Sequence, residues 1–176
     1  MAKLPIITLP DPLLRRESAA VERVDDELQR LIEDMLETMY DAPGIGLAAI
    51  QVAVPRRLFV VDIATGDEPK SPIAMINPEI VEVIGEDLRS HEEGCLSIPE
   101  VYAEIERPNA VRVRYIDRNG QPAELLAEGL MATVVQHEYD HLNGKLFIDF
   151  LSRLKRDRII KKMTKQKARE SDPARV

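Results

Sequence analysis

Two histidines and a glutamate stand at a spacing typical of metal sites, in the segment 137–141 (HEYDH). Residues four apart on an α-helix are separated by about 400° of rotation, so both imidazoles project from nearly the same face and can bind one ion. The chain has three histidines, and two of them flank this glutamate, which argues against ordinary surface histidines. The segment therefore predicts a metal site on a helix, with His137 and His141 as ligands.

A catalytic ion bound by two imidazoles needs a third protein ligand, while its fourth position stays open. No histidine follows His141, so the candidates are the only cysteine, Cys95, and the downstream carboxylates of Asp149 and Asp157. A single cysteine cannot form an intramolecular disulfide, and a thiolate suits Zn2+ and Fe2+. We therefore expect Cys95, in the segment 93–97 (EGCLS), to complete the site.

Glu138 lies about 100° around the helix from His137, where its carboxylate can reach a water molecule beside the ion without ligating the metal. Its expected role is that of general acid and base, accepting the proton of the attacking water and returning it to the leaving amine. Negative charge that develops on the substrate needs donors, which the glycine-containing segments 44–51 (GIGLAAIQ) and 94–96 can supply. The pattern indicates metal-dependent hydrolysis of an amide.

Apolar side chains share the helix face that carries the predicted ligands. Leu130 and Val134 stand at helical spacing from His137 and His141. Simple core packing explains this stripe as well as an apolar pocket beside the ion does. Such a pocket would suit an unbranched or aliphatic substrate side chain.

Other kinds of protein share parts of these patterns. The segment 44–51 also matches the dinucleotide pattern G-x-G-x-x-A, with Asp62 further on. That motif follows a strand and opens a helix, whereas here a predicted helix precedes the segment and Pro55 limits any helix after it. A zinc peptidase or another amidase would use the same ligands. A structural metal-binding domain would need a fourth ligand, such as His91 or an aspartate.

The spacing of apolar residues predicts helices towards both ends of the chain and strands between them. The predicted helices run from Asp25 or Asp26 to a stop before Pro43, over 130–142 and over 152–167. The predicted strands are 58–63, 80–84, 111–116 and 124–127, the last two joined by a turn at 119–120, with a loop at 43–51. This order favours an α+β fold in which antiparallel sheets pack around the central metal-binding helix.

The size of the chain, 176 residues with 44% hydrophobic side chains, suits one domain. We expect residues 1–176 to form a single catalytic domain that ends in a basic helix and tail, 152–176. That segment holds ten Lys and Arg against three Asp and Glu, in a chain whose net charge is −7. No export signal and no apolar run of membrane-spanning length is visible, which predicts a soluble, non-exported protein.

Three segments, in this order, resemble the signature motifs of the peptide deformylase family: 44–51 (GIGLAAIQ), 93–97 (EGCLS) and 136–141 (QHEYDH). The likeness runs across nearly the whole chain, including the opening at 10–12 and the helical tail typical of bacterial-type members. One departure is Ile50, where many members have threonine, and it bears on local packing. The resemblance implies removal of the N-terminal formyl group from the formyl-methionine of nascent polypeptides, with release of formate.

The resemblance also implies a cofactor and further site residues. The ion in the cell would be Fe2+, which Ni2+, Co2+ or Zn2+ can replace. Gln51 and the backbone of Leu96 would stabilise the oxyanion, and Gly46 and Ile45 would bind the substrate.

A cellular setting follows from the resemblance and the charge pattern. The start of the chain, without an added Arg- and Ser-rich segment, favours a bacterial cytoplasmic enzyme. A solvated amphipathic helix is one explanation of the basic segment 152–176. Because the implied substrate emerges from ribosomes, a contact with ribosomal RNA or protein is the other. No partner in a membrane or in DNA is expected.

Overall fold

The computed structural model describes residues 2–171, which form three α-helices, a five-stranded sheet and a two-stranded sheet. The helices are α1 (Asp26–Asp41), α2 (Leu130–Leu142) and α3 (Arg153–Glu170), and the strands are β1 (Gly46–Ala48), β2 (Leu58–Val61), β3 (Ile73–Val83), β4 (Leu88–Cys95), β5 (Ile98–Pro108), β6 (Ala110–Ile116) and β7 (Pro122–Glu128). The larger sheet has the order β1-β2-β3-β6-β7, and β4 pairs with β5. All pairs of named strands are antiparallel, which confirms the expected α+β class.

Helix α1 begins at Asp26 because the carboxylate of Asp25 accepts a hydrogen bond from the backbone N–H of Leu28. The predicted start and the stop before Pro43 are both confirmed. The buried stripe of α1 packs in one apolar cluster with side chains of β1 and β2. The helix thereby holds the chain that leads into β1.

The predictions for the strands were right in the larger sheet and incomplete elsewhere. The four predicted strands exist as β2, β3, β6 and β7, although β3 starts seven residues earlier than predicted. The loop predicted at 43–51 was wrong in part, because Gly46–Ala48 pair with β2 as an edge strand and Ala49–Val52 form a 3-10 turn. Strands β4 and β5 were missed, since their alternating residues include many charged side chains. The buried pair Glu93 and Arg107 explains how such charged strands can face the core.

Helix α2 lies at the centre, with nine of its residues buried. Helix α3 begins after Ser152, whose hydroxyl accepts a hydrogen bond from the backbone N–H of Lys155. It docks through Met163, in a cluster that also holds Ile98 of β5 and Phe147. The last part of the predicted tail, 172–176, lies outside the described residues. Among residues 2–171 no helix is both long and apolar enough to cross a membrane.

Candidate metal centre

The end of β4 and the middle of α2 bring the three sequence-predicted ligands together. The ligand atoms of Cys95, His137 and His141 all lie within 4.8 Å of one another. The Sγ atom of Cys95 is 3.4 Å from Nε2 of His141. A tetrahedral ion with usual bond lengths holds its sulfur and nitrogen ligands about 3.6 Å apart. The three side chains therefore fit one metal ion of the zinc or iron type.

The alternative ligands are engaged elsewhere. Asp149 accepts a hydrogen bond from Arg15 at 2.7 Å, and Asp157 faces Arg153 at 3.8 Å. Across the described part of the chain, the group of Cys95, His137 and His141 is the one set of three side chains placed to hold an ion, and His91 is outside it. Three ligands leave a position open, as in catalytic rather than structural sites.

A buried carboxylate that the sequence did not single out orients the first histidine. Oε1 of Glu93 accepts a hydrogen bond from Nδ1 of His137 at 2.9 Å. Arg107 donates to both oxygens of Glu93, at 2.6 and 2.9 Å, and to Asp140 at 2.9 Å. Burial by itself raises the pKa of Glu93, but the hydrogen bonds from His137 and Arg107 outweigh it and hold the pKa below its ordinary value. The ionised carboxylate keeps the proton of His137 on Nδ1 and leaves Nε2 for the ion.

The two histidines differ in charge when no ion is bound. Burial holds the pKa of His141 well below its ordinary value, so this ring is neutral and ready to ligate. Burial also opposes charge on His137, but hydrogen bonds with Cys95 and Glu93 raise its pKa well above the ordinary value. An ion that binds at Nε2 of His137 therefore displaces a proton.

Glu138 is buried beside the ligands but is not one of them. Its Oε1 lies 3.9 Å from Nε2 of His137, and its Oε2 is a buried oxygen that has no hydrogen-bond partner within residues 2–171. Burial raises the pKa of Glu138 to about 7. A carboxylate of that pKa can both accept and release a proton near neutral pH.

Strand β1 passes so close to Glu138 that any side chain at position 46 would push the Glu138 carboxylate out of place. A Cβ atom there would lie 2.8 Å from Oε1 of Glu138. The buried amide of Gln51 is oriented, because its Oε1 accepts from the backbone N–H of Ala48 at 2.9 Å. Its Nε2 lies 3.6 Å from Sγ of Cys95 and therefore points towards the ligand group.

A cavity of about 710 Å³ opens beside the ligand group. Its lining includes every sequence-predicted oxyanion or substrate residue: Ile45, Gly46, Gln51, Leu96, Leu130 and Val134. Val134 belongs to a core cluster as well, so the apolar stripe of α2 serves both packing and the cavity. His91 and Thr133 also line the cavity. Their polar side chains do not match the apolar pattern from which the lining was predicted.

Comparison with known proteins identifies the family. The polypeptide deformylase family model matches residues 3–157. The peptide deformylase of Agrobacterium fabrum is 60% identical over 161 residues, covering 92% of this chain and 94% of that protein. The crystal structure of peptide deformylase from Ehrlichia chaffeensis has a TM-score of 0.90 at 38% identity, covering 96% of this chain and 99% of that one. A Met-Ala-Ser-bound structure of the Acinetobacter baumannii class I type b enzyme has a TM-score of 0.80 at 34% identity, with 85% and 99% covered. The chain belongs to the peptide deformylase family, metal-dependent hydrolases that remove the formyl group from the N-terminus of nascent polypeptides.

Proposed function

We propose that Cys95, His137 and His141 hold the metal ion for deformylation and that Glu138 moves the protons. The observation that carries this proposal is the buried three-ligand group with the unpartnered Oε2 of Glu138 beside it. One thiolate and two imidazoles suit Fe2+ or Zn2+, and we propose Fe2+ as the ion in the cell, with Ni2+, Co2+ or Zn2+ able to replace it. When bound, the ion would act as a Lewis acid, polarising the formyl carbonyl and lowering the pKa of the attacking water.

Glu138 accepts a proton from the attacking water and delivers it to the nitrogen of the leaving amine. Its pKa of about 7, raised by burial, suits both transfers near neutral pH. The products are formate and a free N-terminal amine.

Gln51 and the backbone N–H of Leu96 donate hydrogen bonds to the oxygen on which negative charge develops. The bond from Ala48 to Oε1 of Gln51 supports this role, because it leaves the Nε2 donor directed at the ligand group. That amide donates one hydrogen bond to Oγ of Ser97 at 3.0 Å and one to Sγ of Cys95 at 3.6 Å. The N–H that faces the sulfur is the one that the substrate oxygen would take. Leu96 directly follows Cys95 in the chain and lines the same cavity. The hydrogen bonds of the Gln51 amide hold that donor in place before substrate binds.

The substrate occupies the cavity with its methionine side chain against Leu130 and Val134 of α2. Ile45 and Gly46, at the edge of the five-stranded sheet, bind the peptide. The A. baumannii relative was solved with Met-Ala-Ser bound, which supports a site for a peptide that begins with methionine.

The experiment uses formyl-Met-Ala-Ser and the Fe2+-loaded chain, prepared without oxygen. Release of formate together with intact Met-Ala-Ser is expected. Wild type and Glu138→Gln are compared at equal metal content, because the substitution keeps the shape of the side chain while removing its basicity. No formate release by the wild type would contradict deformylation, whereas cleavage at internal peptide bonds would favour a peptidase.

We propose that residues 1–176 work as one catalytic domain in the cytoplasm, where formylated nascent chains are made. The packing of α3 on the cluster that holds Ile98 and Phe147 supports a single domain. A single cooperative unfolding transition, with the same midpoint by fluorescence and circular dichroism, is the expected result. Two separated transitions would contradict it.

The basic helix α3 is proposed to contact the ribosome. Its lysines, among them Lys161, Lys162 and Lys165, are exposed. Within residues 2–171, the one ion pair made by an α3 side chain is Arg153–Asp157, at 3.8 Å. An exposed cationic face on a chain of net charge −7 supports binding to an anionic partner such as ribosomal RNA.

The test of this contact is co-sedimentation with ribosomes over a range of salt concentrations. The variant Lys161→Gln/Lys162→Gln/Lys165→Gln should sediment less at low salt and lose part of the salt dependence. Its activity on formyl-Met-Ala-Ser is the control for folding, because none of the three side chains lines the cavity. Equal sedimentation of the variant and the wild type would rule out the contact.

A further inference from the structure

Strand β4 turns one face towards α2, and Arg89, His91 and Glu93 occupy alternate positions on that face. Arg89 donates a hydrogen bond to Oγ1 of Thr133 at 3.2 Å, and Glu93 bonds Nδ1 of His137 at 2.9 Å. Thr133 and His137 are about one helical turn apart on α2. His91 therefore lies between the two hydrogen bonds that join β4 to α2, opposite the helical turn from Thr133 to His137.

His91 lines the same cavity as Leu130, Thr133 and Val134. The hydroxyl of Thr133 is already engaged, since it accepts from Arg89 at 3.2 Å and lies 3.4 Å from the backbone oxygen of Gly129. The ring of His91 is half-buried, and it has no hydrogen-bond partner within residues 2–171. The ring is thus a polar group without a partner, in a cavity whose lining also includes the apolar side chains of Leu130 and Val134.

His91 is also outside the metal group, so its ring nitrogens are not needed for the ion. An imidazole carries at least one N–H in either tautomer. The sulfur of methionine is a weak acceptor, whereas the oxygen of methionine sulfoxide is a polar acceptor at the same place along the side chain. The N–H of His91 is therefore a hydrogen-bond donor in the cavity to which the sulfur of methionine can bind only weakly.

We propose that His91 is a specificity-determining residue that extends the substrates to N-formyl-methionine-sulfoxide peptides, through a hydrogen bond from its ring to the sulfoxide oxygen. This inference rests on the proposed placement of the methionine side chain in this cavity. The sulfoxide is unchanged by the reaction. The oxygen of water bonds to the formyl carbon, the C–N bond breaks, and a proton from the water passes to the leaving nitrogen, so that formate and the free amine form as they do from formyl-methionine.

The experiment compares three peptides that differ only in the first side chain: formyl-Met-Ala-Ser, its sulfoxide, and the norleucine analogue, which replaces sulfur by a methylene. For each enzyme, kcat/KM is expressed relative to formyl-Met-Ala-Ser. The wild type should deformylate the sulfoxide within about tenfold of methionine. His91→Leu should lower the sulfoxide ratio by a further factor of about ten, because the buried S=O then lacks a donor.

Two other variants separate hydrogen bonding from shape. His91→Gln retains an N–H donor and should keep most of the sulfoxide ratio. Ser90→Leu, at an exposed position on the opposite face of β4, introduces the same leucine outside the cavity and should leave the ratio at its wild-type value. The norleucine ratio should be similar in all four enzymes.

The proposal fails if His91→Leu and the wild type have equal sulfoxide ratios. It also fails if the norleucine ratio changes as much as the sulfoxide ratio, since His91 would then act by shape alone. These outcomes are distinct from failure of the proposed site as a whole, which would abolish formate release from formyl-Met-Ala-Ser in the wild type.

Discussion

The carboxylate of Glu93 and Nδ1 of His137 are joined by a hydrogen bond of 2.9 Å. The bond connects the strand that ends in Cys95 to the helix that carries both histidines, so it sets the distance between the thiolate and the imidazoles. Arg107 holds Glu93 from the other side with two hydrogen bonds. The position of the proposed ligands therefore depends on a buried ion pair that does not itself contact the ion.

Glu93→Gln should weaken metal binding by about 10- to 100-fold, because loss of the charge reduces the basicity and fixed orientation of His137. The measurement is a competitive titration with Co2+ against a chelator. Glu106→Gln, at an exposed position on β5, is the matched control and should bind like the wild type. Equal affinities of the Glu93 variant and this control would show that Glu93 does not position the ligand.

Glu138→Gln should retain the metal but lose at least about 10²-fold in kcat, given the usual contribution of a general acid and base. Metal stoichiometry and kcat are measured on the same preparation. Glu128→Gln, at an exposed position on β7, controls for the loss of one negative charge. A fully active Glu138 variant would remove this residue from the proposed proton transfer.

Cys95→Ser should bind metal more weakly, because a neutral hydroxyl replaces a thiolate. Binding to the folded state alone adds about 2.7 kcal/mol of stability at a metal concentration 100 times Kd. Added metal should therefore raise the unfolding temperature of the wild type more than that of the variant. The same rise in both proteins would argue against Cys95 as a ligand.

Asp62 should make stability depend on acid pH. It accepts hydrogen bonds from the hydroxyl of Tyr40 at 2.6 Å and from the backbone N–H groups of Ala64 and Ser71, both at 3.0 Å. Burial by itself raises the pKa of Asp62, but these bonds and the charge of Lys70 hold it below its ordinary value of 3.8. Because the folded pKa is lowered, this stabilisation is complete above that value and is lost as the pH falls through the folded pKa.

Urea unfolding of Asp62→Asn tests this pH dependence. The variant should be less stable than the wild type at neutral pH, and the difference should shrink as the pH falls below 3.8 and through the lowered folded pKa. Asp67→Asn, at an exposed position in the same loop, is the control and should follow the wild type throughout. A difference between Asp62→Asn and the wild type that does not change with pH would contradict the assignment.

The half of the site that lies on one helix was predictable from sequence. The two histidines share a face wherever the helix packs, because the rotation per residue is a local property, and α2 has the predicted bounds. The same reasoning located α1 and the apolar stripe at Leu130 and Val134. Helical spacing could not show whether that stripe lined a cavity. The spacing of apolar residues indicates that a helix face is buried, but not which part of the protein packs against it.

The rest was decided by tertiary structure, where residues distant in sequence meet. Cys95 was favoured over Asp149 and Asp157 by its chemistry, and the packing of β4 against α2 is what brings its sulfur to His141. That packing depends on side chains across the whole domain and leaves no local periodic signal. For the same reason nothing in the sequence linked Arg107 to Glu93. From the sequence, His91 was only a candidate fourth ligand of a structural metal site, whereas in the structure it lies on strand β4 and lines the cavity.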